Sequence, residues 1–168
     1  MVEPEQAWQL ARWGVVASVQ PGFDAAWGGP EGMYALRLGA ARAAAMNPYA
    51  SLATANVVLA LGSDAPVTPV DPWATVRAAV QHRSPGSGIS PIEALAAHTY
   101  GGYRAAATAE PLAGTLVPGA PASYAIWDGA ESLWSDPTSS APPSCLRTVH
   151  RGQVLFERDG DSSHTART

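Results

Sequence analysis

The stretch "NVVLALGSDAPVTPVDPW", residues 56–73, decides how the rest of the chain is read. A short, partly β-branched apolar run stops at Gly62-Ser63-Asp64 and gives way to a segment carrying Pro66, Pro69 and Pro72. Val57 to Gly62 has the length and composition of a buried strand, which the glycine and prolines end. A second run of the same kind, "VVASV" at 15–19, precedes Gln20-Pro21-Gly22. Helical patterns surround both. Pro4 to Trp13 reads as a helix opened by its proline, and residues 31–46 read as a helix weakened at Gly39. "YASLATA" is a short helix. Asp71-Pro72 caps and opens another. Ser90 and Glu93 form a capping box ahead of "IEALAAHT". The order helix, strand, helices, strand, helices over residues 1–110 predicts a parallel α/β arrangement.

From Pro111 the texture changes. "GTLVPGAPASYAIWDG" and "CLRTVHRGQVLFERDG" read as short strands divided by Pro-Gly, Asp-Gly and Arg-Gly turns. Residues 135–144 are expected to be a loop, and 161–168 a disordered tail. Residues 22–30, rich in glycine and aromatics, are likewise expected to form a loop. Two parallel strands cannot close a barrel, which needs about eight, so the first 110 residues have the character of a slice.

Composition narrows the functions. Of the 168 residues, 46% are hydrophobic and only 14% charged, a low charge that predicts surface meant to be covered. A net charge of −4 without a basic cluster speaks against nucleic acid and anionic membrane. No apolar run reaches the roughly 20 residues of a membrane span. Residues 1–14 lack the pattern of a signal peptide. The lone Cys145 allows no intrachain disulfide, and a cytoplasmic location is expected. There is no lysine, so Schiff-base chemistry, a phosphate-loop lysine and a carboxylated lysine are excluded from these residues.

Asp64 is the leading candidate for chemistry. Functional residues of parallel α/β folds sit just past the carboxyl ends of strands, where a carboxylate can ligate a divalent cation or take a proton from its water. The competing reading is turn chemistry, with the Asp64 carboxylate bonded to backbone N–H groups. Gln20, Phe23 and Trp27 follow the first strand and would share a rim with Ser63 and Asp64, in substrate contact or in packing. Trp73 is a candidate pocket wall or a core residue. Arg37 and Arg42 could meet an anionic substrate but read better as solvent-facing. His82, His98, His150 and His164 show no metal-binding spacing, and His82 reads as a helix-end imidazole.

Taken as ordered blocks, "VVASVQPGF", "LALGSDAPVTPVDPW", "ISPIEALAAHTYGGYRAA" and "GTLVPGAPASYAIWD" resemble the C-terminal third of a metal-dependent amidohydrolase of the amidohydrolase-3, YtcJ-like branch. The resemblance covers residues 4–158, with Gly-Ser-Asp-Ala-Pro-Val its most specific element. It implies an α/β fold: the last two strands and helices of a (β/α)8 TIM barrel at 1–110, and a segment of composite β-sandwich at 111–160. It makes Asp64 both a ligand of a catalytic divalent metal, a Zn²⁺-type ion, and the handler of the attacking water's proton. It makes Gln20, Phe23, Ser63 and Trp73 substrate contacts. The implied reaction is hydrolysis of a non-peptide C–N bond in a small amide, cyclic amide or urea-like molecule, the metal lowering the pKa of its water toward ~7.

The family's histidine ligands and mid-barrel carboxylate or modified lysine would lie upstream of this sequence. Where relatives have Pro-Gly-Lys-x-Ala-Asp, this chain has Pro118-Gly119-Ala120-Pro121-Ala122-Ser123. A catalytic zinc takes about three protein ligands. The chain alone is therefore expected to be inactive, and complete only with upstream sequence, a second copy or a companion chain. The alternative is a non-catalytic remnant or an interaction subunit that completes a partner's barrel. A small self-sufficient ligand-binding α/β domain is a third reading.

Overall fold

The computed structural model describes residues 2–129 and 141–158. Its first sheet has two strands, β1 (Val16–Val19) and β2 (Val58–Leu61), paired in parallel with Val16 opposite Val58 and Val19 opposite Leu61. The Gly62 N–H donates to the Val19 carbonyl at 3.0 Å and carries the ladder one step past β2. Parallel pairing demands a crossover, supplied by α2 (Pro21–Trp27), α3 (Met33–Leu38), α4 (Ala40–Ala44) and α5 (Tyr49–Thr54). α1 (Pro4–Arg12) precedes the sheet, and α6 (Pro72–Val80), α7 (Pro91–His98) and α8 (Tyr100–Ala105) follow it.

Two helix starts form as their sequences predict. The Asp71 carboxylate accepts the Ala74 N–H at 2.9 Å. At α7 the Ser90 hydroxyl and Glu93 carboxylate satisfy each other's backbone N–H groups. The hydrogen bonds from Ser90 hold the Glu93 carboxyl below its ordinary value. Gly39, expected as a weak point, divides the helix into α3 and α4 at φ +83°.

The expected loop at 22–30 is corrected: its first part is the helix α2. Pro21 occupies the first helical position, where its missing N–H costs nothing. Gly22 lets the first turn close on Thr68, since a Cβ there would stand 3.1 Å from Thr68 Cγ2. Tertiary packing outweighs the loop-like composition.

The core lies over β2, where Leu59, Ala60 and Leu61 are buried. Tyr49 and Leu52 from α5, Trp73, Val76 and Ala79 from α6, and Ala94 and Ala97 from α7 pack into the same cluster. Fully burying a side chain of leucine or valine size contributes roughly 1.5–3 kcal/mol.

A second sheet is antiparallel, in the order β3 (Tyr124–Asp128), β4 (Ser144–His150), β5 (Gln153–Glu157). The expected Arg-Gly turn joins β4 to β5, with Arg151 at φ +49° and Gly152 at φ +80°, the left-handed pair that suits a tight hairpin. Arg147 and Glu157 stand opposite each other across that hairpin as an ion pair. Trp127 meets Trp73 edge-on, ring centroids 5.8 Å apart, tying this sheet to α6. Ser144, expected in a loop, begins β4. Residues 135–140 of that loop and the expected tail lie outside the described residues.

The low charge has its counterpart in exposed apolar side chains. Leu155 and Phe156 of β5 are 61% and 47% exposed, and Trp13 beside α1 is 72% exposed. Among the described residues, no helix is long and apolar enough to cross a membrane.

Candidate functional site

Because β1 and β2 run in parallel, both carboxyl ends meet one rim. Gln20 follows Val19 there, and its carbonyl accepts the Phe23 N–H at 3.0 Å in the first turn of α2. The Phe23 and Trp27 rings lie 4.9 Å apart. Ser63 and Asp64 follow β2 at the same rim. Of the residues singled out in the sequence, Gln20, Phe23, Ser63 and Asp64 are thus brought to one end of the sheet. Trp73, the remaining candidate, stands in the first turn of α6. It is 7% exposed and belongs to the core, because its ring fills the space between α6 and Trp127.

The segment after β2 is closed by two bonds that leave the Asp64 carboxylate alone. The Val67 N–H donates to the Asp64 carbonyl at 2.9 Å, and Thr68 Oγ1 donates to the Ser63 carbonyl at 2.5 Å. Among the described residues the Asp64 carboxylate makes no hydrogen bond or ion pair, and the residue is exposed. Turn chemistry therefore uses the main chain of Asp64 and not its acid. The left-handed backbone falls on Asp64 itself, at φ +53°, and not on Gly62. Aspartate tolerates that region better than most residues.

Composition and spacing did not mark a buried polar cluster behind the rim. Asp24, on α2, is 2% exposed. Its Oδ2 accepts the Arg83 N–H at 2.7 Å, and its Oδ1 faces His82 Nε2 at 3.5 Å. His82 Nδ1 accepts the Ser84 N–H at 2.9 Å, which places the ring's proton on Nε2, toward Asp24. His82 stands just past the end of α6, as read, but its side chain is 1% exposed and faces Asp24. The Tyr49 ring meets His82 edge-on at 5.2 Å. No local signal joins Asp24 to His82; the α2–α6 packing does.

Burial first, and the nearby Asp24 charge second, push the Tyr49 phenol well above its ordinary value. The phenol must stay protonated in the folded chain, so its stabilising share is complete below the unfolded value of 10.0 and is lost as pH rises toward the folded value. Above pH 10 the slope from this group is about 1.4 kcal/mol per pH unit. The Tyr49 hydroxyl has no partner among the described residues. Tyr49→Phe should therefore change stability at pH 7 by less than about 0.5 kcal/mol and flatten this alkaline loss. Urea unfolding between pH 7 and 11 checks both.

Among the described residues, no group of three or more His, Cys, Asp or Glu side chains could hold a metal ion. A single carboxylate at the rim does not fit a catalytic metal, which needs about three protein ligands.

The chain has known relatives. Residues 1–156 match the Amidohydro_3 model of the amidohydrolase family. The chain is 32% identical over 164 residues to Protein LONG AFTER FAR-RED 3 of Arabidopsis thaliana; the match takes in 91% of this chain and 27% of that protein. It therefore spans about a quarter of that relative's length. The fold resembles an uncharacterized metal-dependent hydrolase from Pyrococcus furiosus at 26% identity and TM-score 0.62, covering 73% of this chain and 25% of that one. It also resembles a mutant of atrazine chlorohydrolase TrzN from Arthrobacter aurescens, complexed with zinc and atraton. That match has 20% identity and TM-score 0.60, and covers 94% of this chain and 34% of that one. The class is thus an α/β fold shared with metal-dependent hydrolases. The chain belongs to the amidohydrolase family.

Proposed function

We propose that this chain acts as the C-terminal part of a metal-dependent amidohydrolase that hydrolyses a non-peptide C–N bond in a small amide, cyclic amide or urea-like molecule. Residues 1–110 would be the last two strands and helices of a (β/α)8 barrel, and 111–160 a segment of its β-sandwich. Asp64 supplies one ligand of the metal, a Zn²⁺-type ion, and accepts a proton during hydrolysis. The other ligands come from outside this sequence, so the chain alone is inactive. Gln20, Phe23 and Ser63 contact the substrate. The observation carrying this reading is a carboxylate left unused by its own turn, at the strand-end rim, in a chain of this family. A cytoplasmic location goes with the reading.

The test joins the chain to an upstream region bearing the histidines, by fusion or co-expression, and compares Asp64→Asn. Loss of a positioned acid–base group costs about 10²-fold or more in kcat, and bound metal should fall with it. Unchanged turnover and metal content would remove Asp64 from the site.

A second reading, an interaction subunit that completes a partner's barrel, is favoured by the open edges of a two-stranded parallel sheet. On size exclusion it expects association with a second copy or a companion chain. A compact monomer that unfolds cooperatively would count against it.

A further inference from the structure

Between α2 and α6 lies a concavity of about 440 Å³, lined by Ala25, Ala74, Arg77, Ala78, Gln81 and Arg83. Its volume falls within the range of about 300–1,000 Å³ for small-molecule sites. Three of the six lining residues are alanines, so the room is not filled by side chains. The other three bear hydrogen-bond donors, and two of those are cations. No lining residue is acidic.

Among the described residues, neither Arg77 nor Arg83 forms an ion pair. Arg77 is half-buried and lines the concavity with the accessible part of its side chain, while its Nη1 is buried with no acceptor among the described residues. Arg83 is held in place from two sides. Its N–H is fixed on Asp24 Oδ2, and its Nη2 donates to the Ala25 carbonyl at 3.2 Å. Asp24 itself is buried, engaged by that N–H and facing His82, and is not among the lining residues. Two like charges on one concave surface repel each other, and a shared anion would relieve that repulsion. The guanidinium fork suits the paired oxygens of a carboxylate or phosphate, and the Gln81 amide adds a neutral donor.

We infer that this concavity binds the oxyanion group, phosphate or carboxylate, of a small molecule through Arg77 and Arg83. The site stands independently of the proposed hydrolytic role, since none of its lining residues belongs to the Asp64 rim. It is tested on the 168-residue chain by calorimetric titration with inorganic phosphate and, separately, with malonate, ionic strength being held constant with sodium chloride.

Saturable binding of either anion is expected. The stronger of the two identifies the group as phosphate or carboxylate. Arg77→Gln and Arg83→Gln should each weaken half-saturation about tenfold or more, as loss of one charged hydrogen bond does. Arg83 is exposed, so its variant keeps the fold even where Arg77→Gln disturbs packing. Absence of saturable binding by both anions would overturn the site. So would equal binding by the Arg83→Gln variant, or a response that sodium chloride reproduces.

Discussion

Gly101→Ala should destabilise the chain by about 3 kcal/mol, although alanine is the better helix former by about 1 kcal/mol. Gly101 is buried in the first turn of α8, where the helix crosses β2 with no room for a side chain. A Cβ there would overlap the Leu59 carbonyl oxygen, stand 3.0 Å from the Leu59 carbonyl carbon and 3.2 Å from Ala60 Cα. All three atoms are backbone of the strand that carries Asp64 to the rim. No rotamer change relieves the overlap, so either α8 lifts off or β2 shifts. Gly102 is the internal control: it is exposed, and a Cβ there would meet nothing within 4 Å. Gly102→Ala should stabilise by about 0.5–1 kcal/mol through helix propensity alone. Urea unfolding of the two single variants should thus give shifts of opposite sign from adjacent positions. Equal shifts would mean that α8 does not lie against β2 as described.

The contrast between these glycines also marks what a sequence can and cannot disclose. Both sit in one helical stretch and are locally indistinguishable; only the approach of β2, some forty residues earlier in the chain, separates them. Features whose cause is local were legible. The Ser90–Glu93 box, the Asp71 cap and the Arg151-Gly152 turn are written in neighbouring residues. The apolar runs before Gln20 and Gly62 were legible as strands too, and parallel pairing follows from the helices between them. α2 was not legible, because seven residues containing glycine hold a helix only through Thr68 and Arg83. At the rim, Asp64 could be singled out by its place after a strand. Which of its atoms the turn consumes could not, since the carboxylate and the carbonyl compete for the same N–H groups until the backbone is fixed. The packing of Trp73 was not legible for a similar reason: its partner, Trp127, belongs to the other sheet.

Removing the acid of the buried pair should cost as much as the misplaced Cβ or more. Asp24→Ala leaves the Arg83 N–H without its 2.7 Å acceptor and His82 Nε2–H facing no oxygen. Each buried donor left without an acceptor costs about 1–3 kcal/mol, and two are stranded here. Asp24→Asn should cost less. Its oxygen can still take the Arg83 N–H, but its amide then turns N–H groups toward the donor on His82. A Cβ at Gly28 would overlap this carboxylate, so position 28 has no room for a side chain while Asp24 is in place. The double variant Asp24→Ala with His82→Ala separates the pair from its surroundings. Contacting partners should show a coupling of about 0.5–3 kcal/mol, the second substitution costing less in the background of the first. Strict additivity in urea unfolding would show that Asp24 acts through the Arg83 N–H alone. Because α2 and the segment after α6 are joined here, loss of Asp24 should also loosen the end of α2 that follows Phe23. Hydrogen exchange at the Gly28 amide, which donates to the Asp24 carbonyl at 2.7 Å, is the local readout. It should accelerate in Asp24→Ala by more than global destabilisation accounts for, whereas amides of β2 should follow the global change only.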